Sequence, residues 1–138
     1  MPTIKFTVPG NPVALKRHRS FQRGNMRGTY DPSKGDKGDF LAKCMEHRPD
    51  MPIDGPIVVS LKCFFQRPKS HYRTGKRAGE LKENAPDAHT KVPDSDNILK
   101  FVGDALNKIF WRDDSLICQV HMGKFYDGIP RIEIEIRY

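Results

Sequence analysis

The sequence predicts an α+β fold: a small mixed β-sheet with helices packed on one face, in the chain order β-α-β-α-β-β. Three observations predict it. Pro56–Gln66 (PIVVSLKCFFQ) is β-branched and aromatic and lies between Asp54-Gly55 and Pro68, which marks a strand. Asp96–Ile109, spaced at about 100° per residue, separates into a polar arc and an apolar arc, which marks a helix lying on a sheet. Arg131–Arg137 alternates Ile132, Ile134 and Ile136 with charged residues, which marks a half-buried strand. The 138 residues fit one domain, 1–138, because domains usually hold about 100–200 residues.

The elements follow in order. Thr3–Val8 alternates and stops at Pro9-Gly10, a first strand. Residues 9–38 are rich in Gly, Pro, Lys and Arg without a period, so a long loop is expected there. A short helix over Asp39–His47, beginning near Asp36, ends before Pro49. After the Pro56–Gln66 strand, residues 67–92 read as a second basic loop, poorly ordered unless an anion binds. The Asp96–Ile109 helix has Asp94 or Ser95 as its cap, since a short side-chain oxygen there accepts an orphan amide. Phe110–Asp114 turns the chain, with Trp111 as a core anchor. Ser115–Tyr126 and Arg131–Arg137 read as a hairpin closed at Asp127-Gly128.

Composition excludes several classes. No apolar run approaches the roughly 18–20 residues of a membrane span, and Met-Pro-Thr-Ile-Lys lacks a signal-peptide apolar region. Cys44, Cys63 and Cys118 are odd in number and form no C-x-x-C pair, so three buried thiols in a reducing cytoplasm are expected. No Walker or G-x-G-x-x-G motif supports a nucleotide cofactor, and the five His show no metal-binding spacing.

The net charge of +7 is unevenly spread. Residues 1–92 carry 18 Lys/Arg against nine Asp/Glu, while residues 93–138 carry six against eight. The front half suits a polyanion and the back half suits cations. Lys16, Arg17, Arg19, Arg23 and Arg27 are interleaved with Phe21 and Tyr30, and Arg73, Lys76 and Arg77 lie near Tyr72. Such cations neutralise phosphates, and the aromatics can stack on unpaired bases.

Asp94 and Asp96 open the second helix, Lys100 lies one turn on, and Asp113-Asp114 follows the helix. If that loop returns towards the helix start, Asp94, Asp96 and Asp114 form one acidic group. Two carboxylates about 4 Å apart repel by roughly 1 kcal/mol in water and about 4 kcal/mol at an effective dielectric near 20, so gathering three calls for a cation. Oxygen ligands alone suit Mg²⁺ or Mn²⁺ rather than zinc. A bland account stands beside this one: an N-cap, a helix-dipole partner and solvated i,i+4 pairs explain the same aspartates, Asp104 above all.

Pro93-Asp94-Ser95-Asp96-Asn97-Ile98-Leu99-Lys100, Asp104-Ala105-Leu106-Asn107 and Trp111-Arg112-Asp113-Asp114-Ser115 together resemble the RusA family of Holliday junction resolvases. Pro12–Arg19, Tyr30-Asp31-Pro32 and Pro130–Ile134 extend the resemblance over nearly the whole chain. Leu116 departs from the family pattern, which often has Gln there, and residues 67–92 are longer and more basic than typical. The resemblance implies a RusA-like fold and a bacterial or prophage-encoded cytoplasmic endodeoxyribonuclease. It implies Asp94, Asp96 and Asp114 as metal-binding catalytic aspartates and Lys100 as a catalytic lysine. It also implies Mg²⁺, with Mn²⁺ substituting, and a homodimer that resolves four-way DNA junctions by paired symmetric nicks in recombination and repair. Two other readings stay open: a non-catalytic branched-DNA-binding protein, and a nucleotide-sugar transferase reading Asp94-Ser95-Asp96 as its metal motif.

Overall fold

A computed structural model describes all residues from Met1 to Tyr138. The order is β1 (Thr3–Pro9), β2 (Arg19–Arg23), β3 (Met26–Tyr30), α1 (Lys34–Cys44), β4 (Ile57–Gln66), α2 (Ser95–Leu106), β5 (Ile117–Asp127) and β6 (Arg131–Arg137). Four strands form a mixed sheet in the order β1-β6-β4-β5, and β2-β3 form a separate pair. The mixed sheet and two helices agree with the expected α+β fold of the RusA type. No helix is long and apolar enough to cross a membrane.

The sheet is amphipathic because its strands alternate. Phe6 and Val8 of β1, residues 57, 59, 61, 63 and 65 of β4, and Ile132, Ile134 and Ile136 of β6 are buried on one face. Ile98, Phe101, Val102, Ala105 and Leu106 of α2 meet that face. From α1, Phe40 and Cys44 join the same core, and Phe40 meets the Phe101 ring edge-on at 5.5 Å. Lys5, Ser60, Lys62, Glu133 and Glu135 line part of the other face, which also carries Phe64 beside Phe125 of β5.

The expected hairpin of the last two strands does not form. β4 lies between β5 and β6, parallel to the first and antiparallel to the second. The most apolar strand takes the centre, where neighbours on both sides bury it most fully, and Gly128-Ile129-Pro130 only carries the chain past its end. Arg131 holds this crossing: its guanidinium lies 3.9 Å from the centroid of the Phe64 ring of β4 and is ion-paired to Asp127.

Both expected loops have internal structure. Within residues 9–38, β2 and β3 pair with Arg19 opposite Tyr30 and Arg23 opposite Met26, joined by Gly24-Asn25. Gly24 has φ +59, which suits glycine at the first turn position of a two-residue hairpin. α1 begins two residues before Asp36, and a 3-10 turn over Met45–His47 follows it. Residues 67–92 take a folded path: Arg73 N–H donates to the Glu80 carbonyl and Lys82 N–H to the His71 carbonyl. Arg67 anchors the segment through the Asp87 carboxylate at 2.9 Å and the Pro86 carbonyl at 2.8 Å. His89 is buried and stacks on Phe65 at 3.7 Å between centroids; burial first, then the nearby Lys124 charge, lowers its pKa. Cys44 and Cys63 are buried as expected, and burial pushes each thiol up to about 12. Cys118 is exposed instead, because it lies on the edge strand β5.

Candidate active site

Three of the candidate residues, Asp94, Asp96 and Lys100, lie at or on α2. Its apolar side is committed to the core, which fixes the direction of the opposite side and hence of Asp96 and Lys100, both exposed. Asp94 occupies the N-cap with an extended backbone, yet its carboxylate makes no capping hydrogen bond. Neither Asp96 nor Lys100 forms an ion pair, so all three charged groups face solvent uncommitted. The helix start is held from outside. Lys124 of β5 donates to the Lys91 carbonyl at 2.8 Å and to the Pro93 carbonyl at 2.7 Å, immediately before Asp94. Leu15 N–H donates to the Asn97 carbonyl at 3.2 Å, tying the N-terminal basic segment to the same first turn.

Asp114 returns to α2, but to its third turn rather than its start. A Cβ built on Gly103 would meet Asp114 Oδ1 at 3.7 Å, an ordinary van der Waals contact, so the carboxylate lies directly against this turn. Trp111, 1% exposed, fixes it there: its indole Nε1–H donates to Asp114 Oδ1 at 2.7 Å. A buried indole needs an acceptor, and this carboxylate supplies it. Asp96 and Gly103 share a stripe of α2 but are separated by seven residues, about 10 Å of helix rise. No group of three or more His, Cys, Asp or Glu side chains is close enough to hold a metal ion. The structure therefore brings Asp94 and Asp96 to one helix end, with Lys100 one turn on, and places Asp114 lower on the same stripe beside Asp104.

The remaining acidic residues have separate duties. Asp113 accepts from Ser115 N–H at 3.0 Å and from Lys108 Nζ at 3.2 Å, capping the 3-10 turn Asp114–Leu116. The Ser115 bonds, then Lys108, hold its carboxyl down at about 2. Asp104 lies 3.6 Å from Lys37 of α1, which is also paired to Asp31. Asp114 is raised above the ordinary aspartate range by burial, opposed by the Trp111 bond and supported by the Asp104 and Asp113 charges.

A folded-state pKa above the unfolded one means the folded chain binds a proton that the unfolded chain releases sooner. Stability is then lost as pH rises through that window. Asp114→Asn, which keeps the indole acceptor, is accordingly expected to raise the melting temperature of metal-free protein at neutral pH. It should also shrink the difference in melting temperature between acid and neutral buffer. Calorimetry in EDTA checks both, and an unchanged or lower melting temperature counts against this account of Asp114.

The donor chemistry fits a hard cation at the start of α2. Mg²⁺ is commonly held by one or two carboxylates together with substrate phosphates and waters, and Asp94 and Asp96 are free to act as such a pair. Most basic residues of the two long segments are exposed on the surface. Arg19, Arg23 and Arg27 lie on the β2–β3 pair, Lys16 and Arg17 lead into it, and all are exposed. Arg73, Lys76 and Arg77 line a cavity of about 560 Å³ with Lys82 and Glu83, and it has no hydrophobic lining residue.

Sequence reasoning missed Lys124 as the clamp behind Asp94 and Lys37 as the link from α1 to Asp104. Nothing local marks either, since both act on residues more than 30 positions away. The Trp111 bond had a sequence signal: a tryptophan three residues before an aspartate, at a position expected to be core.

Two comparisons bear on identity. A family described as endodeoxyribonuclease RusA matches residues 9–137. A protein of Bacillus subtilis (strain 168), described as uncharacterized protein YqaN, is 37% identical over 139 residues, covering 99% of this chain and 97% of that protein. With a family match over residues 9–137 and a relative 37% identical over nearly its full length, this chain belongs to the RusA family of endodeoxyribonucleases.

Proposed function

We propose that the chain is a divalent-metal-dependent, structure-selective nuclease that resolves four-way DNA junctions by paired symmetric nicks, serving recombination and repair. Its nuclease domain spans 1–138, with basic segments at about 10–35 and 67–92. The observation that carries this reading is the uncommitted trio Asp94, Asp96 and Lys100 on the open side of α2 in a RusA-family chain. Asp94 and Asp96 would hold Mg²⁺, or Mn²⁺ in its place, and Asp114 is the third carboxylate of the same surface. The ion, when bound, polarises the scissile phosphate and offsets charge on the departing oxygen. Lys100 places a fixed positive charge one turn beyond Asp96, where it offsets charge gathering on the phosphate. Water attacks in line and the P–O3′ bond breaks; the 3′ oxygen takes up a proton, leaving a 3′-hydroxyl and a 5′-phosphate.

Two nicks on opposed strands need two sites, and each chain carries one acidic helix. A C2 homodimer supplies them with the symmetry of the junction. Lys16, Arg17, Arg19, Arg23, Arg27, Arg73, Lys76 and Arg77 bind phosphates, which makes affinity depend on salt. Replacing Arg19, Arg23 and Arg27 together by Gln is expected to reduce the slope of log K against log salt by about 2 to 3, on the order of 0.9 per lost contact. A binding titration across salt concentrations checks this.

A labelled four-way junction incubated with the protein and Mg²⁺ tests the activity, and the expected product is a pair of symmetric nicks. No cleavage with Mg²⁺ or Mn²⁺ overturns the proposal. Asp114, held against Gly103 in the third turn of α2, is the observation behind a second reading: a branched-DNA-binding protein that does not cut. Under that reading junction binding survives EDTA and no nicks appear at any metal concentration. The transferase reading has nothing beside it, since RusA is an endodeoxyribonuclease family.

A further inference from the structure

We infer that one face of the β2–β3 hairpin is a stacking platform for unpaired or unstacked DNA bases at the branch point, with Phe21 as its centre. The inference rests on the junction-nuclease reading and names the part of the substrate that this surface recognises.

Residues paired across an antiparallel ladder point to the same side. The register therefore gathers Arg19, Phe21 and Arg23 with Tyr30, Gly28 and Met26 on one face, leaving Gln22 and Arg27 on the other. The hairpin shares no sheet with the rest of the fold, and every residue of its strands is exposed except half-buried Gly28. Phe21 is 38% exposed, Tyr30 47% and Met26 67%. Three large apolar side chains on two five-residue strands thus have no core to enter.

Gly28 explains how the ring is set. A Cβ there would fall 2.8 Å from Cε1 and Cζ of Phe21, so the phenyl group lies over the bare glycine backbone. This holds the ring across the hairpin rather than letting it swing freely. Arginines flank it at Arg19 and Arg23.

Charge selects the occupant. From Lys16 to Tyr30 the chain holds five Lys/Arg and no acidic residue, so the face fits a polyanion that also offers flat apolar rings. Nucleic acid is such a ligand: phosphates meet the arginines and bases meet the aromatics. Bases inside a duplex are already stacked on both sides, so an aromatic ring gains contact only where the stack is interrupted, as at a crossover.

The hairpin's base is fixed beside the acidic helix. On entry, Leu15 N–H donates to the Asn97 carbonyl in the first turn of α2, and Lys16 N–H donates to Ser33 Oγ at 2.8 Å. On exit, Asp31 pairs with Lys37, which lies 3.6 Å from Asp104. The base of the platform is thus tied to the same helix that carries Asp96 and Lys100.

The test places 2-aminopurine at the branch point of a four-way junction, or within one arm, and records fluorescence on binding in EDTA, so that no cleavage is needed. Wild-type protein is expected to change the branch-point signal and leave the arm signal unchanged. Phe21→Ala should abolish that change and cut the preference for junction over duplex by about tenfold or more. Phe21→Trp should retain both. Gly28→Ala, which displaces the ring without removing it, should weaken both. Equal signals from wild type and Phe21→Ala, or equal responses at branch and arm, overturn the inference. A protein that shows the stacking signal but never cuts would sink the nuclease reading and leave this surface standing, whereas cutting without the signal would do the reverse.

Discussion

Asp96→Asn is expected to abolish junction cleavage while leaving junction binding within about twofold of wild type. Charge stabilisation supplied through a bound metal is worth several kcal/mol, and about 1.4 kcal/mol is tenfold in rate, so a loss of about 10³-fold or more is anticipated. The folded state should not suffer. Asp96 is exposed and unpaired, and its only helical duty is as an acidic residue in the first turn, worth about 0.3–1 kcal/mol. Asp94→Asn should behave alike, because the Asp94 side chain makes no capping bond to lose. Cleavage and binding measured on the same junction separate the two effects. Asp96→Asn protein that cuts as fast as wild type would end the catalytic assignment of this helix.

Trp111→Ala is expected to cost about 3–5 kcal/mol of stability, the usual range for deleting a buried large aromatic. Trp111 sits where several parts of the chain meet. Lys108 N–H donates to its carbonyl at 2.8 Å, and Ile53 pairs beside it, donating to the Phe110 carbonyl and accepting from Arg112 N–H, each at 2.9 Å. Its ring packs against Phe110 in the core. Trp111→Phe separates packing from positioning. It keeps most of the buried ring but removes the indole donor, so a smaller loss of about 1–3 kcal/mol is expected. Asp114 is freed from its place against Gly103 in both variants. Denaturant unfolding of the three proteins checks the order wild type, Phe, Ala; a Phe variant as unstable as Ala would mean that the hydrogen bond, not the ring, carries the stability.

Much of the fold was legible locally. β4 and β6 read as strands because burial on one face forces a period of two, and α2 read as a helix because its core contact forces a period of 3.6. The helix ended at Leu106 rather than Ile109, since Asn107 leaves the helix and Lys108 takes φ 71. The β2–β3 pair was hard to read for a plain reason: its strands are exposed, and its apolar residues Phe21, Met26 and Tyr30 are spread over two short strands among charged ones, so only Gly24-Asn25 hints at the turn.

The sequence alone determined which residues carry charge, which side of α2 is free, and that Lys100 lies one turn beyond the helix start holding Asp94 and Asp96, because helical geometry sets those relations over short spans. Only the tertiary structure decided that β4 separates β5 from β6, that Asp114 meets Gly103 rather than the helix start, and that Lys124 grips the backbone before Asp94. Those contacts join residues far apart in the chain. Each is chosen by which surfaces the whole core can bury at once, and no local pattern encodes that choice.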